Sequence, residues 1–186
     1  MSVVLKSTSG GQVTLQEPTT AADYIQTLPA STGTVMVSGN MPAFSAYMSA
    51  NQYITTATWT KAQLNTEVFD TNNNFDPTTN YRFTPTVEGY YQINAGIYCS
   101  NLTDYNTQGS VAIYKNGSIY HRATLNFSSE GSKFNDFLTT VSGVIYLNGS
   151  TDYIELYGRI TAGGTPGIVG GTTSDTFMNG CLLRRA

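Results

Sequence analysis

Phe83-Thr84-Pro85-Thr86-Val87-Glu88-Gly89-Tyr90-Tyr91-Gln92-Ile93 decides how the rest of this chain is read. Pro85 and Gly89 bracket a turn. From there Tyr91, Ile93, Ala95 and Ile97 alternate with Tyr90, Gln92, Asn94 and Gly96, and Cys99 continues the first series. A period of two is a strand with one apolar face. Downstream, Val111-Ala112-Ile113-Tyr114-Lys115-Asn116-Gly117 ends in the Asn-Gly pair that most readily takes a two-residue hairpin turn, so Val111, Ile113 and Ile119 are expected inside. A further strand pair follows from Gly143-Val144-Ile145-Tyr146-Leu147-Asn148-Gly149-Ser150-Thr151-Asp152-Tyr153-Ile154-Glu155-Leu156, and a closing strand from Phe177-Met178-Asn179-Gly180-Cys181-Leu182-Leu183.

Composition agrees with an all-β chain. Tyr, Thr, Val, Ile and Phe are abundant, Gly is frequent, and no segment keeps helical apolar spacing over three turns. The 186 residues hold one domain with a real core plus a short extra element. Upstream, Phe44, Ala46 and Met48 read as the inward face of a first strand, and Leu64, Val68 and Phe69 as core contributors of a second extended region.

Charge narrows the function classes. Nine Lys and Arg stand against twelve Asp and Glu, a net charge of −3, and Arg184-Arg185 is the only basic pair of note. Phosphate backbones are held by several clustered cations, so no nucleic-acid partner is expected. The start of the chain lacks the apolar core of a secretory signal, and no run of about 18 apolar residues could span a bilayer. A soluble protein made in the cytoplasm, with no membrane partner, is therefore expected. Cys99 and Cys181 lie in apolar strand contexts rather than at metal-ligand spacing, and both read as buried thiols, with a disulfide as the alternative.

Taken in order, the Phe-x-Pro-x-x-x-Gly-x-Tyr strand, the Asn-Gly hairpin, the Leu147 to Leu156 segment and the closing Gly180 strand resemble the globular head of the tumour necrosis factor and complement subunit q families. The resemblance covers roughly residues 42 to 186. It implies an antiparallel jelly-roll sandwich that assembles as a homotrimer, and a binding or structural module rather than an enzyme. Ser150 and Thr151 stand as an insertion between the family's Gly and Asp. Tyr90 and Tyr98 are the candidates to meet at the trimer interface, because an aromatic sandwich with few charges would otherwise leave apolar patches in water.

The chain is divided here into an arm, residues 1–40, and a jelly-roll head, residues 41–186. In the arm, Val3 and Leu5 alternate with polar neighbours, Ser9-Gly10-Gly11 turns, and Val13 and Leu15 alternate again, which predicts a β-hairpin. Tyr24 to Leu28 and Thr34 to Val37 read as a second extended pair. Isolated ribbons are marginal in water, so the arm needs a partner. Its pattern, with Thr27-Leu28-Pro29-Ala30-Ser31-Thr32-Gly33, resembles the amino-terminal segment of tailed-bacteriophage structural proteins, which implies an attachment element with Val3, Leu5, Val13, Leu15, Ile25 and Leu28 as contact residues. The plainer alternative is an extra hairpin covering a sheet edge.

Enzymatic constellations are missing from the sequence. It has no Gly-x-Ser-x-Gly elbow, no His-Glu-x-x-His, no Gly-Lys-Ser/Thr phosphate loop and no Cys-x-x-Cys, and its one His, His121, has no neighbouring partner. Asp70, Asn72 and Asn74 repeat the start of a calcium loop, yet Phe75 stands where that loop needs Gly and Tyr81 where it needs the bidentate Glu. No catalytic residue, cofactor or metal is assigned. The expectation is a bacteriophage virion protein on the particle surface: a trimeric decoration or cement protein, held by its arm to the major capsid protein or a tail protein. The alternative is a tail or head fibre protein recognising a host surface glycan or protein through Tyr-, Asn- and Thr-rich loops. Collagen-like and heptad repeats, the usual shaft of a fibre, are absent, which favours the compact role.

Overall fold

The computed structural model describes residues 2–16, 19, 25, 30, 32–33, 35–100, 106–126, 136–162, 167–168 and 175–186. The chain divides into two compact units, Met1–Gly33 and Thr34–Ala186.

In the first unit, β1 (Ser2–Lys6) pairs antiparallel with β2 (Gln12–Gln16), and Leu5 lies opposite Val13 and Val3 opposite Leu15. The turn closes with the Ser7 N–H donating to the Gly11 carbonyl at 2.7 Å, and Gly10 takes φ 92°, open to glycine without strain. The hairpin expected from the alternation is present. Of the second extended pair, Val35 to Val37 do not form a strand, and residues 24, 26–28 and 34 lie outside the described residues.

The second unit holds β3 (Ala43–Tyr47), β4 (Gln52–Tyr53), β5 (Thr60–Lys61), β6 (Thr66–Asp70), β7 (Phe75–Asp76), β8 (Arg82–Phe83), β9 (Gly89–Ser100), β10 (Asn106–Lys115), β11 (Ser118–Asn126), β12 (Phe137–Leu147), β13 (Ile154–Ala162), β14 (Gly167–Ile168) and β15 (Phe177–Arg185). Among the described residues there is no α-helix, only one 3-10 turn at Ser38–Asn40. β9 is the axis of one sheet. β12 runs along one of its edges from Gly89 to Cys99, while β15 and β14 share the other, with β3 and β6 beyond β15 and β4 beyond β14. The second sheet runs β11, β10, β13, β8, β7, with β5 also on β13. All pairings are antiparallel.

The core between the sheets follows the period of two. Tyr91, Ile93, Ala95, Ile97 and Cys99 from one side meet Val111, Ile113, Ile154, Leu156 and Ile160 from the other. Phe44, Phe75 and Phe83 stack at its end, with ring centroids 5.5 Å and 4.1 Å from Phe44. The buried Tyr91 phenol donates to the Val87 carbonyl at 2.6 Å, so the polar end of the ring is satisfied.

Four expected core positions face outward, and three of them for identifiable reasons of register. The β3–β6 pairing slips between Ser45 and Ala46, which leaves Val68 as the bulged residue and sets Phe69 opposite outward-facing Ser45; both are exposed. A second slip at Ile113/Tyr114 places Ile119 opposite Tyr114, and it too is exposed. Cys181 falls on the outer face of β15 between buried Gly180 and Leu182 and is exposed, whereas Cys99 is buried and its thiol is pushed up to about 12 by desolvation. Both cysteines are free.

The loops are built by side chains that accept backbone N–H groups. The Asp70 carboxylate takes the N–H of Asn72, Asn74 and Phe75, so the loop that mimics calcium spacing is occupied by its own backbone. The Asn148 side-chain oxygen takes the N–H of Ser150, Thr151 and Asp152, which accommodates the inserted pair. Gly149 sits there at φ 67°, where a Cβ would lie 2.3 Å from the Glu88 nitrogen.

Asp76 accepts from Thr78, Thr79 and Asn80, and these bonds, those from the Thr79 and Thr78 N–H groups foremost, hold its carboxyl well below the usual range. A pKa depressed by folding contributes stability above the unfolded value of 3.8, lost as the pH falls through the lower native value. The melting-temperature gap between the wild type and Asp76→Asn is therefore expected to be widest near neutrality and to shrink below pH 3.8. A gap independent of pH would show that the charge on Asp76 does not hold the loop.

Candidate functional site

Two surfaces of the head stand out. The first is the outer face of the β9 sheet. Because Tyr91, Ile93, Ala95 and Ile97 point into the core, Tyr90, Gln92, Asn94, Gly96 and Tyr98 line the outside. The structure thus puts Tyr90 and Tyr98 on one face, at opposite ends of one strand. Register brings Tyr146, Val144 and Leu138 of β12 beside Tyr90, Gln92 and Tyr98 in turn. Leu138 is 51% exposed and Val144 46%. On the β3 side, a cavity of about 280 Å³ is walled by Ala43, Phe69, Gln92, Asn179 and Cys181 among others.

The polar groups of this face are mostly tied. The Tyr98 hydroxyl donates to Asp136 at 2.5 Å and the Tyr146 hydroxyl to Glu88, and in each case that hydrogen bond, with the carboxylate charge, raises the phenol above its ordinary value. Arg184 lies 5.2 Å from the centre of the Tyr90 ring, a cation–π contact. What remains is a stripe of aromatic and aliphatic side chains with its hydrogen bonds made within the protomer.

The second surface is the outer face of β10, β11 and β13. Ser110 lies opposite both Thr124 and Arg159, and Gln108 opposite Asn126. With Arg122 and Trp59 they line a groove of about 330 Å³. Ser110 and Thr124 hydroxyls are 3.0 Å apart, and Gln108 donates to Asn126 at 3.0 Å. The sequence reading missed this groove. Its partial signal was the outward polar series Gln108, Ser110 against Thr124, Asn126 across an Asn-Gly turn, which fixes their pairing; Trp59 and Arg159 arrive by pairings remote in sequence.

The arm residues assigned to attachment are exposed where they can be described: Leu5, Val13 and Leu15 at 57–61%, and Ile25 at 90%. Val3 is placed in β1, and Leu28 lies outside the described residues. The glycine-rich loop from 163 to 171 is described only at Gly167 and Ile168, which are buried and pair with β4 and β9. Among the described residues, no three His, Cys, Asp or Glu side chains cluster as metal ligands.

No protein-family model and no curated protein matches the chain. Solved structures do. The Eiger tumour necrosis factor of S. frugiperda superposes with a TM-score of 0.57 at 12% identity, covering 78% of this chain and 93% of that one. Murine APRIL gives 0.57 at 11% identity over 77% and 99%, and the globular domain of zebrafish Complement 1qA protein 0.50 at 18% over 78% and 98%. The head has the jelly-roll fold of the tumour necrosis factor and complement q proteins. At these identities the likeness is one of fold alone.

Proposed function

We propose that this chain is a non-catalytic structural protein of a tailed-bacteriophage particle: a homotrimer whose heads join through the outer face of the β9 sheet and whose arm, residues 1–40, fastens it to the capsid or tail surface as decoration or cement. The observation that carries this reading is the pairing of two unpartnered apolar surfaces. One is the stripe of Tyr90, Val144, Leu138 and Tyr98; the other is the hairpin with exposed Leu5, Val13 and Leu15. A two-stranded ribbon does not hold alone in water, so the arm calls for a protein surface beneath it. The fold supports the trimer, and the arm pattern supports the particle. On this reading the protein is made in the host cytoplasm and ends on the particle surface.

Co-sedimentation with purified capsids lacking their decoration tests it. Full-length protein is expected to pellet with particles and raise their resistance to heat, and a form reduced to residues 42–186 to stay in solution. Equal pelleting of both forms would remove the arm from attachment. A second reading, a receptor-binding head on a short fibre or tail tip, is favoured by the groove at Trp59, and it requires the 42–186 form to bind host cells.

A further inference from the structure

We propose that the groove formed by Trp59, Arg122, Arg159, Ser110 and Thr124 is a binding site for a carboxylate-bearing sugar. The charge arrangement on this sheet is the first ground. Lys61 is held by Glu155 at 2.5 Å and Lys115 by Asp152 at 2.8 Å. Arg82 lies opposite both Asp76 and Glu155 in the pairing and 4.3 Å above the Tyr153 ring. Arg122 and Arg159 differ: among the described residues neither meets a carboxylate. Their nearest rows hold Ser, Thr, Gln, Asn, Ala and Tyr. Two guanidiniums without a carboxylate partner among the described residues, in a chain of net charge −3, are a local inversion of sign, suited to an anion.

Geometry restricts which anion. Arg159 is anchored: its Nε donates to the Ala57 carbonyl at 3.0 Å and its Nη1 to the Gln108 side-chain oxygen. A guanidinium has five N–H donors, so three remain for a ligand, in a planar fork that matches a carboxylate. Arg122 stands across β10 on β11, one row along, roughly 10 Å away by strand spacing. With the two cations rooted on opposite strands and hydroxyl and amide groups between them, the groove suits a ligand with an acidic group at one end and hydroxyls along its length.

Trp59 adds the second component. It packs edge-on against Tyr114, centroids 6.1 Å apart, and Tyr114 stacks on Tyr157 at 3.9 Å, so the indole is held by a column of rings. A fixed aromatic face beside a row of hydroxyl and amide groups matches a sugar, whose C–H face stacks on the ring while its hydroxyls meet Ser110, Thr124 and Asn126. A nucleic acid would need further cations along its track, and these are absent from the described residues around the groove. The inference deepens the receptor-binding reading and is independent of the decoration reading.

Trp59 is the only tryptophan in the chain, so its emission reports on this groove alone. Full-length protein is to be titrated with trigalacturonate and with sialyllactose, against neutral galactotriose and against sodium sulfate. At least one acidic sugar is expected to change the emission saturably, with galactotriose and sulfate weaker by about tenfold or more, and Arg122→Gln is expected to weaken the acidic sugar by about tenfold. Arg122 is exposed, so the variant keeps the fold, checked by its unchanged circular dichroism. Arg159→Gln, which frees the Gln108 and Ala57 anchors, should weaken binding as well. Equal response to galactotriose, equal response to sulfate, an unaffected Arg122→Gln protein, or no saturable change with either acidic sugar each overturns the assignment. If the 42–186 head binds cells while both acidic sugars leave Trp59 unchanged, the ligand class is wrong and the receptor reading stands; sugar binding without cell binding gives the converse.

Discussion

Replacing Leu138 and Val144 together by glutamate is expected to convert the proposed trimer into a monomer of 20.1 kDa, measured by light scattering behind size-exclusion chromatography. Both side chains point away from the core, at 51% and 46% exposure, so the protomer tolerates the change; exposed substitutions of this kind cost within about 0.5 kcal/mol. In a trimer joined through this face the same carboxylates become buried without partners. Breaking the balance of a buried site in that way costs about 3–5 kcal/mol. Three copies repeat that cost around the axis, and among the described residues Arg184, the cation of this face, already lies over Tyr90. Ile119→Glu, on the other sheet and equally exposed in kind, should leave the mass unchanged. A double variant that stays trimeric would place the threefold contact elsewhere.

Phe83→Ala is expected to have the largest effect on stability. Phe83 is fully buried, stacks on Phe44 at 4.1 Å and meets Tyr91 edge-on at 5.7 Å, so truncation opens a cavity that three aromatic neighbours cannot close. Phe→Ala in a core costs about 3–5 kcal/mol. Against a total of about 5–15 kcal/mol, this removes about a fifth of the stability or more. The melting temperature should fall by roughly 6–20 °C, followed at fixed protein concentration because assembly also shifts it. Phe83→Leu, which keeps most of the volume, should recover most of the loss. A fall of only a degree or two for the alanine variant would mean that the Phe44, Phe75 and Tyr91 rings collapse into the space.

Much of the head was legible because the period of two is a local property. The alternation from Tyr91 to Cys99 marks the core face without knowledge of any partner strand, and it places Tyr90 and Tyr98 on the other side by the same count. Asn116-Gly117 gave the β10–β11 hairpin, and Asn116 does take φ 52° and Gly117 φ 78°. The errors at Val68, Phe69 and Ile119 arise where a bulge inserts one residue, which reverses the inward and outward assignments beyond it. Nothing in the residues themselves announces such a slip, because it is settled by the partner strand. Cys181 is the exception: it alternates with Met178, Gly180 and Leu182 and could have been placed outside by counting. The groove was hidden for a different reason. Its two halves, Trp59 with Arg159 and Ser110 with Thr124, meet only once β13 has paired with both β5 and β10.

The position of β15 between β3 and β9 has a consequence in time. Ala43 faces Cys181 and Tyr47 faces Phe177, so the first strand of the head is completed by its last. At a synthesis rate of about 5–20 residues per second, the β3 segment leaves the ribosome roughly ten seconds before its partner exists. Throughout that interval the β3 segment can pair with β6 alone and has no neighbour on its other edge. The central sheet therefore closes late, through a pairing of high sequence separation that is slow by nature and exposed to aggregation until it is done.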